Sequence, residues 1–303
     1  MKKKDFLSIR DLTRDEIALI FERARENRLG LPARSLAGKS VVLVFEKAST
    51  RTRISFEVGI ARLGGHPVVL STEGSQMGRG EPLKDTARIL AGYCDALVMR
   101  TFGHERIEEM AQFAHIPVIN ALTDLLHPCQ VLSDCFTLSL RFKDLPNRKI
   151  AWIGDGNNMA NSWINAAALM GFELVLACPK GYEPDESILN AALRDGARVK
   201  VVREPKEAIR DAVAVNTDVW ASMGQENEAS SRAKAFSVYQ VNEGIMDFAA
   251  PDAVFMHCLP AHRGEEVTED VLEGPRSIVW EQAQNRLYIQ EAILDFLLRE
   301  KKE

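Results

Sequence analysis

No stretch of this 303-residue chain approaches the roughly 18 consecutive apolar residues of a membrane-spanning helix, which excludes a helical membrane protein. Positive charge is in deficit: 38 lysines and arginines stand against 43 aspartates and glutamates, a formal net charge of −5. That leaves no basic surface for nucleic acid. There is no C-x-x-C pair. The five cysteines, Cys94, Cys129, Cys135, Cys178 and Cys258, are odd in number and scattered. They argue against a disulfide framework or a structural zinc site and for a reducing compartment. No glycine run ends in a Gly-Lys pair, so a P-loop is absent. Short internal repeats and low-complexity tracts are lacking too. Met1-Lys2-Lys3-Lys4 begins as a secretory leader begins, but Asp5, Asp11 and Asp15 follow and no apolar segment does. The expected location is the cytoplasm.

What the chain does have is a steady alternation of short apolar runs with helical periodicity. Its 46% hydrophobic and 27% charged residues are those of a globular protein, and its length suits two domains. Thr13 with Asp15 and Glu16 caps a helix to about Leu29, burying Ile17, Phe21 and Ala24. Ser40–Phe45, Pro67–Leu70, Ala96–Arg100 and Ile116–Ile119 read as strands, with helices starting after Arg53 and at Pro82, His104 and His127. Ser71–Glu81 is a polar, glycine-rich loop of functional length. Lys143–Lys149 is a polar link containing Pro146, after which the pattern restarts. Strands are expected at Ile150–Gly154, Glu173–Ala177, Arg198–Val202, Ala212–Val215 and Ala253–His257, with helices between them. A last apolar helix, from about Ala283 to Leu298, is long enough to leave its own domain and pack on the first. The implied fold is α/β, two doubly wound parallel-sheet domains (residues 1–146 and 147–303) joined by a short linker.

Functional groups in such sheets collect at the carboxyl ends of strands. The first strand runs into Ser49-Thr50-Arg51-Thr52-Arg53, after which Ile54, Val58 and Ala61 recur at helical spacing until Gly64-Gly65. Hydroxyls and guanidiniums at a helix N-terminus, where free N–H groups and the helix dipole favour negative charge, form a site for a doubly charged anion. A lone Ser-Thr there would be a simple cap followed by solvated arginines. Two arginines two apart in a first turn repel unless an anion meets them. Arg100 closes the third strand, where an arginine by itself is often only a solvated strand end. In His127-Pro128-Cys129-Gln130 the proline takes the first helical position, and a histidine at that end is biased toward the neutral imidazole. A purely structural capping histidine fits these four residues equally well. Asp218-Val219-Trp220-Ala221-Ser222-Met223-Gly224 offers a carboxylate for an ammonium group, with a solvated loop as the alternative. His257-Cys258-Leu259-Pro260 ends an apolar strand, where a cysteine is more often a small buried hydrophobe than a nucleophile. Ile153-Gly154-Asp155-Gly156-Asn157-Asn158 resembles the start of a dinucleotide loop but lacks the third glycine.

The S-T-R-T-R run, H-P-C-Q, D-x-x-x-S-M-G and H-C-L-P occur in the order and near the separations found in the aspartate/ornithine carbamoyltransferase family. The last two resemble its ornithine branch, and the similarity runs from Phe6 to the C-terminal helix. The resemblance implies a carbamoyl-phosphate-binding first domain and an ornithine-binding second domain. Ser49, Thr50, Arg51 and Thr52 would cradle the phosphate, with Arg100 reaching phosphate and carbamoyl oxygen. Gln76 would join that cradle from a neighbouring subunit, so a homotrimer or an assembly of trimers is implied. His127 and Thr52 would hold the carbamoyl oxygen. Gln130 and the Cys258–Leu259 backbone would hold the carbamoyl NH2, with Pro128, Cys129 and Arg286 completing that side. Asn158, Asp218, Ser222 and Met223 would bind the amino-acid portion of L-ornithine, with Cys258 beside the reacting amine. The bond before Pro260 is cis in relatives. No metal or other cofactor is implied. Relatives often place a serine where Pro82 stands, beside the neighbour-facing loop. The acceptor follows from charge: aspartate would repel Asp218, an acylated ornithine has no ammonium for it, and putrescine lacks an α-carboxylate.

Overall fold

The computed structural model describes residues 3–71, 75–221 and 228–299. The chain forms two compact units, Met1–Ser133 with Gln284–Glu303, and Asp134–Ala283.

Helix α1 (Arg14–Arg28) opens the first unit. Thr13 accepts from the Glu16 N–H while Glu16 accepts from the Thr13 N–H, so both end groups are satisfied reciprocally. Strand β1 (Ser40–Phe45) leads through helix α2 (Arg51–Arg62) to β2 (His66–Ser71), then α3 (Leu83–Tyr93) to β3 (Ala96–Arg100). Helix α4 (His104–Phe113), β4 (Val118–Leu122) and α5 (Pro128–Arg141) follow. The strands are parallel in the order β2-β1-β3-β4. Val42, Val44, Leu97, Met99 and Val118 from the strands pack with Ala87, Ile107 and Met110 into one apolar cluster. Continuous β-branched strands are what burial on both faces requires.

The second unit holds β5 (Lys149–Ile153), α6 (Asn158–Met170), β6 (Glu173–Ala177), α7 (Glu186–Arg194), β7 (Val199–Val202), α8 (Pro205–Ile209) and β8 (Ala214–Thr217). It continues with α9 (Ala229–Phe236), α10 (Glu243–Met246), β9 (Val254–His257) and α11 (Glu269–Leu272). Its strands are parallel in the order β7-β6-β5-β8-β9. Helix α12 (Val279–Leu298) closes the fold, and the division between units falls inside α5 and inside α12. Both sheets are doubly wound, as expected, and the last helix does return to the first unit.

Most strand boundaries, and the start of the last helix, shift by a few residues from the sequence reading, and three of the shifts have a clear cause. Strand β4 starts at Val118, not Ile116, because Pro117 has no N–H; its carbonyl takes the Leu97 N–H and the ladder begins one residue later. Strand β8 runs on to Asn216 and Thr217, polar residues that are nevertheless completely buried and hide the strand's end. Helix α12 starts at Val279 because Gln282, polar but buried, donates to Asp134 and accepts from the His257 N–H.

Helix α12 lies along α2. A Cβ added at Gly59 would stand 3.1 Å from Glu291 Cγ, tight enough that a side chain there would push the neighbour aside. Glu291 is fully buried, with Arg62 Nε 2.9 Å from its Oε1. Burial pushes this carboxyl up from 4.5 to about 7, and Arg62 pulls part of the way back. The folded chain therefore holds the Glu291 proton more tightly than the unfolded one. The resulting stabilisation is complete below pH 4.5 and is lost as pH rises through about 7. Glu291→Gln should stabilise the protein at pH 8 by about 1–2 kcal/mol, less than the whole shift because the surroundings relax around the buried charge. Thermal melts should show that gain shrinking toward pH 5; a gain that is constant with pH would contradict it.

Candidate active site

In open parallel sheets, ligands bind where the strand order reverses. In the first unit the reversal lies between β1 and β3, so the β1–α2 turn and the end of β3 meet there. Thr50 takes the N-cap position of α2 with φ −89° and ψ −60°, and its side chain makes no capping bond. Thr50 and Arg51 are exposed, Ser49 is half-buried, and Arg51 enters no ion pair among the described residues. Arg53 does: its Nε lies 2.6 Å from Glu57 Oε1, one turn on. The repulsion expected between the two arginines is thus partly answered within the helix, and Arg51 remains for an anion. A cavity of about 290 Å³ opens at this turn, lined in part by Lys47, Ser49, Arg53 and Ser71.

Three buried groups stand behind the turn. Thr52 is 1% exposed, and its hydroxyl accepts from Arg286 Nη2 at 2.7 Å. His127, 5% exposed, precedes Pro128 at the start of α5. Burial holds its imidazole well below the usual histidine range, with Arg286 and then Arg100 adding to the effect. The expected direction holds, but the leading cause is desolvation. A neutral imidazole flanked by two guanidiniums suits a polarised carbonyl oxygen. Gln130 is buried beside it on α5. Cys129 is also buried, its thiol pushed up to about 12 by burial and donating to the Asn120 carbonyl at 3.3 Å. Only the backbone of Cys129 remains for a ligand. Gln76 is exposed and lines a separate cavity of about 300 Å³ with Leu70, Met77 and Glu81.

Sequence reasoning missed the charged pairs that tie these loops together. Lys47 is bonded to Asp124 and sits 4.4 Å from the Phe102 ring centre. Glu46 is bonded to Arg106 and Thr101. Polar residues at the ends of strands beside the β1–α2 turn were the available signal.

In the second unit the order reverses between β5 and β8. Asn157 caps α6, accepting from the Met159 and Ala160 N–H groups, and its Nδ2 donates to Asp218 Oδ2 at 2.8 Å. Asn158 is the first residue of α6. Asp218, 8% exposed, also accepts from the Val219 N–H at 2.9 Å and from Cys258 Sγ at 3.1 Å. A largely buried carboxylate met, among the described residues, by neutral donors is suited to receive a cation. Cys258 is half-buried; Leu259 follows with φ +60° and a cis bond to Pro260. A leucine at positive φ is a strained backbone, held here because the Leu259 N–H donates to His257 Nδ1 at 2.8 Å. His257 Nε2 in turn faces buried Glu266 at 3.2 Å. Asp218, His257 and Cys258 bring potential metal-ligand atoms within 4.8 Å, but both ring nitrogens of His257 are already engaged. Ser222 and Met223 lie outside the described residues.

The dinucleotide alternative fails on geometry. The Gly156 N–H donates to Tyr182 O at 2.9 Å, and a Cβ there would lie 2.2 Å from the Glu183 carbonyl carbon and Pro184 nitrogen. The chain's own backbone occupies the place a pyrophosphate would need.

The aspartate/ornithine carbamoyltransferase carbamoyl-P binding domain matches residues 4–139, and the Asp/Orn binding domain of the same family matches residues 146–297. The chain belongs to the aspartate/ornithine carbamoyltransferase family. An ornithine carbamoyltransferase of Geobacter sulfurreducens is 52% identical over 301 residues, covering 98% of this chain and 99% of the relative. That of Nitratidesulfovibrio vulgaris is 54% identical over 298 residues, with 98% and 99% covered. Among solved structures, the ornithine carbamoyltransferase from Pyrococcus furiosus superposes with a TM-score of 0.93 at 45% identity, over 99% of this chain and 98% of that one. The anabolic ornithine carbamoyltransferase from Campylobacter jejuni gives 0.92 at 42%, over 97% and 98%. In this carbamoyltransferase-family chain the first sheet's reversal carries Ser49–Thr52 and Arg100, and the second's carries Asn158 and Asp218.

Proposed function

We propose that this chain transfers the carbamoyl group of carbamoyl phosphate to the δ-amine of L-ornithine, giving L-citrulline and phosphate. The observation that carries the reading is the buried Asp218 carboxylate, surrounded by the neutral donors Asn157, Val219 and Cys258. Such a carboxylate recognises the α-ammonium of an amino acid and repels a second carboxylate, which favours ornithine over aspartate within the family. Asn158, Ser222 and Met223 complete the amino-acid pocket in this reading.

In the first unit, Ser49, Thr50, Arg51 and Thr52 take the phosphate at the start of α2, with Gln76 of a neighbouring subunit joining them. The exposure of Gln76, and its place in a separate cavity, support a role toward another copy, hence a homotrimer or an assembly of trimers. Arg100 bridges phosphate and carbamoyl oxygen. His127 donates to that oxygen as a neutral imidazole, and Thr52 is aimed by Arg286. Gln130 and the backbone of Pro128 and Cys129 hold the carbamoyl NH2.

The neutral δ-amine attacks the carbamoyl carbon, forming the N–C bond and a tetrahedral intermediate. The C–O bond to phosphorus then breaks, phosphate takes the electron pair, and the amine loses its proton to phosphate or solvent. Negative charge developing on the carbonyl and bridging oxygens is met by Arg51, Arg100, Thr52 and His127. Residues 1–146 serve carbamoyl phosphate and 147–303 serve ornithine, apart from the C-terminal helix from about residue 283, which belongs with the first domain. We place the enzyme in the cytoplasm, in arginine biosynthesis; no described helix is long and apolar enough to cross a membrane.

The test is citrulline formation by purified protein supplied with carbamoyl phosphate and a panel of amines. Ornithine should exceed putrescine, N-acetylornithine and aspartate by ~100-fold or more in kcat/KM. A preference for any other amine would overturn the acceptor assignment.

A further inference from the structure

The end of β3 is irregular. Met99 pairs with Asn120 of β4, but Arg100 pairs with Leu122, so the register slips between Met99 and Arg100. The extra residue, Ala121, lies on β4, so Arg100 loses the regular alternation with β4 while still pairing with Phe45 of β1. What then fixes Arg100 is not the β3–β4 ladder alone.

Glu46 adds a restraint beyond the β1 ladder. Its N–H donates to the Arg100 carbonyl at 2.9 Å, extending the β1–β3 ladder past the end of β1. Its carboxylate, 8% exposed, accepts from the hydroxyl of Thr101, the residue after Arg100. The same carboxylate receives a fork from Arg106 on α4: Nη2 at 2.6 Å on Oε1 and Nε at 3.1 Å on Oε2. Thr101 is completely buried, and its N–H donates to Leu122 O at 3.0 Å. The backbone at Arg100 and Thr101 is thereby gripped from the β1 side by Glu46 and from the β4 side by Leu122. Glu46 itself lies three residues before Ser49. One side chain therefore couples the anion turn to the strand end that carries the second guanidinium.

We propose that Glu46, locked by Arg106, is a positioning residue that sets Arg100 relative to the Ser49–Thr52 turn and so tunes carbamoyl-phosphate use. The proposal rests on the reading of this turn as the carbamoyl-phosphate site. Glu46 touches no reacting atom; its effect passes through Arg100. A bidentate arginine–carboxylate pair provides the rigidity this requires, and displacement of a binding group by about 1 Å is enough to slow a reaction ~100-fold.

The experiment is a double-mutant cycle on the full chain, using Glu46→Gln and Glu46→Ala, each alone and combined with Arg100→Ala, read as kcat/KM for carbamoyl phosphate. In the otherwise native protein, Glu46→Ala should lower kcat/KM by ~10- to 100-fold. With Arg100 already removed the same change should cost less than ~2-fold, since its target is gone. Arg106→Met, which keeps the apolar stem, should reproduce part of the loss, and Glu46→Gln should be the milder variant if Glu46→Ala fails to fold. Equal losses in both backgrounds, tracking a fall in Tm, would mean a purely structural pair and overturn the proposal. Native-like kinetics of Glu46→Gln and Glu46→Ala in an active enzyme would overturn it while sparing the functional reading. If the unaltered protein forms no citrulline, the functional reading and the proposal fall together.

Discussion

Arg51→Ala should leave a folded protein with almost no turnover. Arg51 is exposed at the first position of α2 and enters no ion pair among the described residues, so its removal costs the fold little. Alanine also favours the helix. What disappears is a charge-assisted donor to phosphate beside the free N–H groups of the helix end. Loss of such a donor in the transition state costs on the order of 10²–10³ in kcat. Carbamoyl-phosphate binding should weaken by ~10- to 100-fold, the worth of one hydrogen bond to a charged group. Circular dichroism and Tm should match the unaltered protein. Turnover within a factor of a few of normal would show that the anion sits elsewhere.

Asp218→Asn should act on the other substrate. The amide keeps one oxygen for Asn157 or the Val219 N–H but removes the negative charge. Its NH2 also faces groups that themselves donate, Asn157 Nδ2 at 2.8 Å and Cys258 Sγ at 3.1 Å. A stability loss of about 1 kcal/mol is expected from that mismatch. Catalytic efficiency with ornithine should fall by ~100-fold or more, because a buried carboxylate–ammonium contact is replaced by a neutral one. Carbamoyl-phosphate affinity, set in the first unit, should stay unchanged. Equal damage to both substrates would mean that Asp218 supports the fold of its unit rather than the acceptor.

Much of the architecture was legible because parallel strands buried on both faces are written as unbroken apolar runs, as in Val41–Val44 and Ile150–Ile153. Legibility ended where polar residues enter the core. Asn216 and Thr217 extend β8, and Gln282 lies in the first turns of α12; no apolar pattern announces any of them. Pro117 moved the start of β4 for a reason visible in its own chemistry, the missing N–H. The strand-to-helix turn at Ser49–Arg53 could be read from residue types alone because strand, hydroxyls and guanidiniums are consecutive. Partnerships across distant segments could not. Arg286 on Thr52, Glu46 on Arg106, and His257 between Leu259 and Glu266 join residues with no local signal of their pairing. At the N-terminus of α6 the sequence pointed to Asn158 for the substrate. The structure adds its neighbour Asn157, which caps the helix and holds Asp218.

The account depends most on an anion being held where β1 becomes α2. Crystals of the protein grown with carbamoyl phosphate, or with inorganic phosphate, test this directly. Tetrahedral density is expected on the N–H groups of Ser49–Thr52, with the guanidiniums of Arg51 and Arg100 within hydrogen-bond distance. Density for the anion at another place in the chain, with that turn bare at saturating ligand, would contradict it.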